Sequence, residues 1–294
     1  MFPARFDYYR AESVDEALAL LADHDDAELL AGGHSLVPAM KNDGREPSVV
    51  VDLDDDDLRG LDLGAGGTSV TVGALTTYAD LAEDDRLAQV APVVQSAARE
   101  VGDRQIRNRG TIGGNRAEAP PAADPPAAVL AADATVLVQG RDGSRRIPAG
   151  EFFEGQGQTA LTDGEILTGV EVPGQQEVGT AYRRRTHPAT GYALVGVAAV
   201  VSAVQGTVLD ARVAATGVVD RAVRLSAVED ELLGSSVGDG LIERAAGKAG
   251  DGLDEERLRS DPQASGEFRV SLLETYVERA VSDAVDAAES DGMF

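Results

Sequence analysis

The sequence predicts an α+β fold, and three observations lead to that prediction. Short apolar runs alternate with amphipathic segments in the front part of the chain, as in βαβ-like units. Val-rich segments typical of antiparallel strands follow at residues 134–139, 167–172 and 193–204. Apolar residues make up 43% of the 294 positions, which is enough for a sizeable core. Because only 4% of the residues are aromatic, Ala, Val and Leu must build that core.

The front part of the chain alternates predicted helices and strands. Ser13 and Glu16 have the spacing of a capping box, and the apolar run after them predicts a helix. A short helix is predicted at residues 38–42, and Thr76 with Thr77 marks the start of another. Strands are predicted at residues 27–30, 48–53 and 70–72.

The rest of the chain carries two further predicted helices, a hairpin and a long terminal helix. The two helices are predicted at residues 90–101 and 123–132, and the prolines of the second fit in its first turn. A turn at residues 205–206 leads into a strand at 208–215, and the terminal helix is predicted at 265–288. Turn-like residues 173–176 place a domain boundary near residue 175. We therefore expect two domains, residues 1–175 and 176–294.

The charge of the chain excludes one class of partner and predicts an environment. The formal net charge is −25 and the isoelectric point is about 4.3, which excludes a nucleic-acid binder and argues against docking on anionic lipid. The acidic residues are dispersed along the chain rather than gathered in one interaction tail. Such a surface is typical of a salt-adapted protein, because concentrated salt screens its repulsion.

The sequence shows no targeting signal and no membrane span. The longest apolar stretch, residues 193–204, is too short to cross a bilayer, and the N-terminus has no apolar signal region. We expect a cytoplasmic protein without membrane insertion. The chain has no Cys and only three scattered His, which excludes disulfides, iron–sulfur ligation and thiolate zinc sites within it. We expect no metal site.

Two glycine-rich segments are candidates for binding a nucleotide. Residues 31–38, AGGHSLVP, follow a predicted strand and precede a predicted helix. Residues 105–115, QIRNRGTIGGN, place a helix before a predicted loop that contains three glycines. Adjacent glycines allow the backbone to approach a ligand, and exposed N–H groups near a helix start favour an anion. Each segment alone is also compatible with a simple tight turn.

Together the two segments predict a pyrophosphate held between them, and hence a dinucleotide. They do not form a Rossmann fingerprint, and a P-loop pattern is absent from the sequence. The one match to G-x-G-x-x-A, at residues 155–160, follows no clear predicted strand and precedes no predicted helix. We interpret that match as accidental.

These segments resemble the FAD-binding medium subunit of molybdenum hydroxylases, the family of aerobic carbon monoxide dehydrogenase and xanthine dehydrogenase. The resemblance rests on AGGHS at 31–35, on the specific string QIRNRGTIGGN, and on residues 121–124, 164–168, 192–199 and 265–269. It runs from about residue 3 to 285. It implies a two-part FAD-binding domain of the PCMH type, followed by a C-terminal domain with a small antiparallel sheet and helices.

The resemblance also implies roles for individual residues. Asp124 would accept a hydrogen bond from ribityl or adjacent hydroxyls, Leu167 would pack near the adenine or its ribose, and Tyr192 would cover one face of the isoalloxazine. Arg183 falls where some relatives carry a Lys near the flavin. Two groups would hold the pyrophosphate and nearby ribityl and ring atoms: Ala31, Gly32, Gly33, His34, Ser35, and Thr111, Ile112, Gly113, Gly114, Asn115.

Each of the four single positions has a structural alternative. Asp124 could be a helix N-cap because Pro125 follows it, Tyr192 could be core, and Leu167 could only pack in a strand. Residues 183–185, three arginines, could be a solvated face or a subunit contact. The sequence departs from the family after Asn115, where the usual His and Asp are replaced in the stretch RAEAPP.

The resemblance implies an electron relay in which no residue of this chain is a general acid or base. Electrons would arrive from a [2Fe–2S] small subunit and leave the flavin for NAD or quinone, while a molybdopterin large subunit oxidises CO, an aldehyde or a heterocycle. A dimer of heterotrimers is the implied assembly. The alternatives are a stand-alone FAD-dependent oxidoreductase of the same superfamily and a non-catalytic binding protein. The lack of Cys excludes relatives with an extra cluster in this subunit.

Overall fold

The computed structural model describes residues 2–42, 44–188, 191–238 and 240–291. Its first part, at the N-terminus, is a small parallel sheet with helices. The elements are β1 (Asp7–Ala11), α1 (Val14–Asp23), β2 (Ala27–Leu30), α2 (Leu36–Lys41) and β3 (Val49–Leu53). The strand order is β1-β3-β2, and both pairings are parallel. Ser13 caps α1 by accepting a hydrogen bond from the Glu16 N–H at 3.2 Å, as the sequence predicts.

The second part is an antiparallel five-stranded sheet covered by helices. Its strands lie in the order β4-β5-β10-β6-β7. Its elements are β4 (Leu61–Leu63), β5 (Ser69–Gly73), α3 (Tyr78–Glu83), α4 (Asp85–Val90), α5 (Pro92–Glu100), α6 (Arg104–Arg107), α7 (Ile112–Glu118), α8 (Asp124–Ala131), β6 (Thr135–Gly140), β7 (Gly143–Pro148), α9 (Ala149–Phe152), β8 (Phe153–Gly155), β9 (Gln158–Thr159) and β10 (Glu165–Pro173). Strands β8 and β9 form a separate short hairpin.

The third part is an antiparallel sheet in the order β11-β12-β13-β14, packed against a long helix. Its elements are β11 (Gly179–Thr186), β12 (Ala193–Val204), β13 (Thr207–Thr216), β14 (Val223–Arg224), α10 (Ser226–Leu232), α11 (Leu241–Ala246) and α12 (Gly266–Asp291). Short 3-10 turns lie at Asp56–Leu58, Ala65–Gly67 and Glu255–Arg257. The apolar face of α12 covers the sheet through Leu273, Val277, Val281 and Val285, all of them buried.

The predicted α+β class is confirmed, and the differences from the prediction have local causes. The helix predicted at 90–101 is α5 and begins at Pro92 instead of Val90, because Pro92 disfavours helical backbone at Ala91; Val90 is the last residue of α4. The match at residues 155–160 lies at the β8–β9 hairpin and no helix follows it. Strands β7 and β11 escaped prediction because arginines occupy much of each. Within the described ranges, no helix combines the length and apolar character needed to cross a bilayer.

Candidate functional site

A cavity of about 420 Å³ lies where the three parts of the fold meet. Strand β2 with the loop after it forms one wall, and helices α7 and α8 form another. Leu167 from β10 and Tyr192 before β12 complete it. Twelve of the fourteen residues expected at a cofactor line this cavity: Ala31, Gly32, Gly33, His34, Ser35, Thr111, Gly113, Gly114, Asn115, Asp124, Leu167 and Tyr192.

The two remaining candidates do not line the cavity. Ile112 is fully buried in the core below it. Arg183 lies on the face of β11 that is turned toward α12 and away from the cavity, where its guanidinium pairs with Asp283 of α12 at 2.6 Å. Candidate residues that are up to 161 positions apart in the sequence, from 31 to 192, thus line one cavity. The side chains of Ile112 and Arg183 do not line it.

The two glycine-rich segments are in direct contact. A Cβ on Gly32 would collide with the carbonyl oxygen of Arg109, and a Cβ on Gly114 would lie 3.7 Å from the Ala31 Cβ. Gly33 adopts a φ of +74°, a backbone conformation that favours glycine. The glycines therefore allow two backbones to approach each other beside the cavity.

The first segment, residues 31–35, presents unpaired backbone donors. The N–H groups of Gly33, His34 and Ser35 donate to no other residue in the described part of the chain. The His34 ring nitrogen Nδ1 lies 3.0 Å from the Gly32 carbonyl oxygen, which holds the side chain back over its own loop. Successive unpaired N–H groups in a turn can cradle an anion.

The second segment is a helix start rather than the predicted loop. The expectation of a loop through Asn115 is wrong, because Thr111 caps α7 and accepts from the Gly114 N–H at 3.2 Å. The N–H groups of Ile112 and Gly113 donate to the carbonyls of Thr76 and Ala74 at 3.1 and 2.9 Å. These three donors are therefore already used within the protein.

Two polar atoms at the cavity, one on α7 and one on α3, have no hydrogen-bond partner among the described residues. The Asn115 Oδ1 is buried at the cavity and accepts no hydrogen bond, so it could accept one from a hydroxyl or N–H of a ligand. The Tyr78 hydroxyl lies beside the Arg116 guanidinium without a well-aligned hydrogen bond. Burial raises the pKa of Tyr78, so this hydroxyl stays protonated.

Asp124 is the most buried acid of the cavity. It is not the N-cap, since Ala123 occupies that position and Asp124 begins α8. Its carboxylate accepts from the Tyr182 hydroxyl at 2.7 Å and from Arg184 Nη1 at 3.0 Å. Desolvation raises the pKa of Asp124 to about 6, although the charge of Arg184 and the Tyr182 hydrogen bond act against that rise.

Two side chains of the stretch that departs from the family, residues 116–121, make hydrogen bonds within the protein. The Glu118 carboxylate accepts hydrogen bonds from both terminal nitrogens of Arg45, at 3.2 and 3.1 Å. Arg45 also donates a hydrogen bond to the Glu28 carboxylate at 3.3 Å. Arg116 is fully buried and donates to the carbonyls of Ile112 at 3.1 Å and Pro125 at 3.5 Å, which ties α7 to α8.

Tyr182, Arg184 and the Arg45 contact escaped the sequence analysis. A recognisable signal existed for Arg184. In a strand, alternate residues share a face, so Tyr182 and Arg184 point together toward Asp124 while Arg183 points away. Recognising residues 179–186 as a strand would have selected Arg184 among the three arginines.

Tyr192 stands at the cavity mouth and is not a core residue. Its exposed fraction is 53%, and its carbonyl accepts from the His187 N–H at 3.0 Å. Leu167, by contrast, is buried in β10 and also lines the cavity, so strand packing and a cavity role coexist there.

The family model described as "FAD binding domain in molybdopterin dehydrogenase" matches residues 4–175. A second, "CO dehydrogenase flavoprotein C-terminal domain", matches residues 180–284. The chain belongs to this family of molybdenum hydroxylase FAD subunits. The resemblance inferred from the sequence is confirmed, and with it the FAD-binding domain followed by a C-terminal domain, the oxidoreductase class and FAD as the cofactor of the family.

Individual relatives match along nearly their whole length. The glyceraldehyde dehydrogenase medium chain of Sulfolobus acidocaldarius is 33% identical, covering 96% of this chain and 99% of the relative. The carbon monoxide dehydrogenase medium chain of Hydrogenophaga pseudoflava is 35% identical, covering 97% and 98%. A solved structure of carbon monoxide dehydrogenase from that organism superposes with a TM-score of 0.92, at 34% identity and 98% and 99% coverage. The quinoline 2-oxidoreductase of Pseudomonas putida 86 gives 0.91, at 30% identity and 99% and 100% coverage.

Proposed function

We propose that this chain holds FAD in the 420 Å³ cavity and relays electrons from a [2Fe–2S] partner subunit to NAD or quinone. The observation that carries the proposal is the contact between the two glycine segments, beside unpaired N–H donors and a buried, unpaired Asn115 Oδ1. Such a wall suits a ligand that is anionic at one point and offers hydroxyl or N–H donors at another.

The residues of the cavity divide the proposed work between them. The N–H groups of Gly33, His34 and Ser35 would bind the pyrophosphate, and Asn115 and Asp124 would accept from ribityl hydroxyls or ring N–H groups. Leu167 would pack on the adenosine part, and Tyr192 would shield one face of the ring. When bound, FAD can accept electrons singly and release them in pairs. The protein's part is to bind, orient and shield.

The partners follow from the kind of subunit the relatives are. Relatives of similar identity are named for glyceraldehyde and for carbon monoxide, which are chemically unrelated. The proposal therefore assigns substrate oxidation to a molybdopterin large subunit and a relay role to this chain. Two such heterotrimers would pair in the cytoplasm.

Flavin binding by the purified full chain tests the proposal. Cofactor-free protein should quench the fluorescence of added FAD with an endpoint of one FAD per chain. Gly114→Val should abolish this, because its side chain would fill the gap between Gly114 and Ala31. Gly150→Val is the matched control, since Gly150 is exposed with nothing near its Cβ position. Full binding by Gly114→Val would contradict the assignment of this cavity.

We also propose that the protein works in concentrated salt, and flavin binding should report this. The chain carries a net charge of −25; Arg45 pairs with Glu28 and Glu118 at the cavity and Arg184 pairs with Asp124, but the acids of the whole chain remain in large excess. Their field opposes a pyrophosphate dianion, and salt screens it, with a Debye length of about 10 Å at 0.1 M and about 3 Å at 1 M. Affinity for FAD and the unfolding midpoint should both rise with KCl. Values that stay constant on dilution would contradict salt adaptation.

A further inference from the structure

Arg184 connects the cavity wall to the segment that carries Tyr192. Its Nη1 lies 3.0 Å from Asp124 Oδ2 and 3.3 Å from the Gly191 carbonyl oxygen. Its Nε donates to Glu100 Oε2 at 2.9 Å. One guanidinium thus joins the end of α5, the start of α8 and the backbone next to Tyr192.

The surroundings make this a restrained arrangement. The Arg184 side chain is 13% exposed and that of Asp124 is 5% exposed, whereas Glu100 is half exposed. A planar guanidinium satisfies several acceptors at fixed angles, which an ammonium cannot do. On the other side of Tyr192, the buried Arg269 donates to the Leu194 carbonyl at 2.7 Å, so the backbone is held on both sides of this tyrosine.

We propose that Arg184 is a positioning residue that fixes Tyr192 at the cavity mouth by binding the Gly191 carbonyl and the Asp124 carboxylate together. Its importance for electron relay rests on the proposed function, but the restraint itself needs no flavin. Loss of the Asp124 negative charge would remove one of the restraints on the guanidinium, and Gly191 with Tyr192 would gain freedom.

Protonation of Asp124 is the natural way to lose that charge. Burial raises the pKa of Asp124 to about 6, so its charge changes close to neutral pH. The titratable groups that face Asp124 are Tyr182 and Arg184 of β11, Glu100 of α5, Tyr78 of α3 and, through the Pro125 carbonyl, Arg116 of α7. His187, whose side chain is a further titratable group, lies near Tyr192, and its backbone N–H donates to the Tyr192 carbonyl.

A single fluorophore can report the position of residue 192, since the chain contains no Trp. In the full, cofactor-free chain carrying Tyr192→Trp, emission anisotropy and acrylamide quenching would be measured with Arg184 intact. They would then be measured with Arg184→Met, with Arg184→Lys and with the control Arg183→Met. Arg183 pairs with Asp283 of α12, on the face of β11 turned away from the cavity.

The expected result is a loss of anisotropy and stronger quenching with Arg184→Met, a smaller change with Arg184→Lys, and none with Arg183→Met. The lysine ammonium would still pair with the Asp124 carboxylate but could not donate to the Gly191 carbonyl at the same time. If Arg184→Met does not fold, Glu100→Gln takes its place, because it weakens one contact of the Arg184 guanidinium. It should lower the anisotropy and raise the quenching, by less than is expected for Arg184→Met. Signals unchanged by these variants, or changed equally by Arg183→Met, would overturn the proposal.

A pH titration gives an independent readout. With Arg184 intact, the Trp signal should change with a midpoint near pH 6, and Asp124→Asn should remove this transition while His187→Gln leaves it. A flat signal, or a transition removed by His187→Gln and kept by Asp124→Asn, would contradict the coupling. Titration of the same variants with FAD separates the positioning role of Arg184 from flavin binding. A chain that binds no FAD but shows the expected Trp anisotropy and quenching would contradict only the proposed function.

Discussion

The two glycine segments looked equivalent in the sequence but differ in what their backbones do. In residues 31–35 the N–H groups of Gly33, His34 and Ser35 are unpaired within the described chain. In residues 111–115 the N–H groups of Ile112, Gly113 and Gly114 are used by Thr76, Ala74 and Thr111. The first segment leaves donors free for the proposed anion, whereas the second builds the wall against which the first is placed. A glycine pair can therefore serve a ligand or serve packing.

The largest expected effect is on packing in the second segment. A Cβ on Gly113 would lie 2.6 Å from the Ala74 Cβ and 2.8 Å from its carbonyl oxygen, contacts that cannot be relieved without moving the backbone. Gly113→Ala should lower the free energy of unfolding by about 3 kcal/mol, measured by denaturant titration in high salt. Gly114→Ala is the comparison and should cost less, about 1 kcal/mol, because its Cβ would press on the Thr111 side-chain oxygen, 2.9 Å away, rather than on backbone. Equal losses would erase the distinction between these two glycines.

A substitution in the first segment should have a smaller effect, which is expected on FAD binding as well as on the free energy of unfolding. At φ +74° Gly33→Ala is strained by about 1 kcal/mol, and displacement of the neighbouring N–H groups should weaken FAD binding about tenfold. Asn tolerates this backbone region better, so Gly33→Asn should lose less stability than Gly33→Ala. If Gly33→Ala binds FAD like the unaltered protein, the first segment is not the anion cradle.

The cap of α7 gives a third comparison. Thr111→Ala removes the acceptor of the Gly114 N–H and should cost about 1 kcal/mol of unfolding free energy, which Thr111→Ser should restore. Calorimetry of the three proteins measures this. An unchanged melting temperature for Thr111→Ala would mean that the contacts to Thr76 and Ala74 alone hold the helix start.

The smallest effect lies on the strand that brings Leu167 to the cavity. The Arg145 hydrogen bonds lower the pKa of Glu165 from the usual 4.5 to about 2, so the stabilisation is complete above pH 4.5 and is lost as pH falls toward 2. Glu165→Gln should cost about 0.5 kcal/mol at pH 7, since solvent screens the exposed Arg145. The difference from the unaltered protein should narrow below pH 4.5, and a difference independent of pH would assign the loss to packing instead.

The sequence was sufficient where local chemistry decides the structure. The helix cap at Ser13, the strand at 27–30 and the Val-rich strand at 193–204 are found as predicted, because caps and apolar runs act locally. The motifs that carry the family resemblance also pointed to the cavity, because twelve of the fourteen residues inferred from them line it.

The rest depends on contacts between distant segments. The helix start at Thr111 is stabilised by carbonyls of Thr76 and Ala74, which no local pattern reveals. Strand β11 carries three consecutive arginines, and only its pairing with the apolar β12 and the burial of Tyr182 select its faces. The contact of Arg45 with Glu118 joins positions 73 residues apart, so sequence inspection could not pair them. The expected boundary near residue 175 stays a prediction. One apolar cluster includes both Val172 and Tyr182, so side chains on either side of that boundary pack together.

The walls of the cavity have a consequence for biosynthesis. They are drawn from positions 28 to 192, so a growing polypeptide cannot close the cavity until about two thirds of it has been translated. The three-stranded parallel sheet is complete after residue 53, well before that point. If FAD binds here as proposed, it would meet a complete site only after residue 192 has been made, and a ribosome-bound chain stalled before that residue would leave the future cavity open on one side.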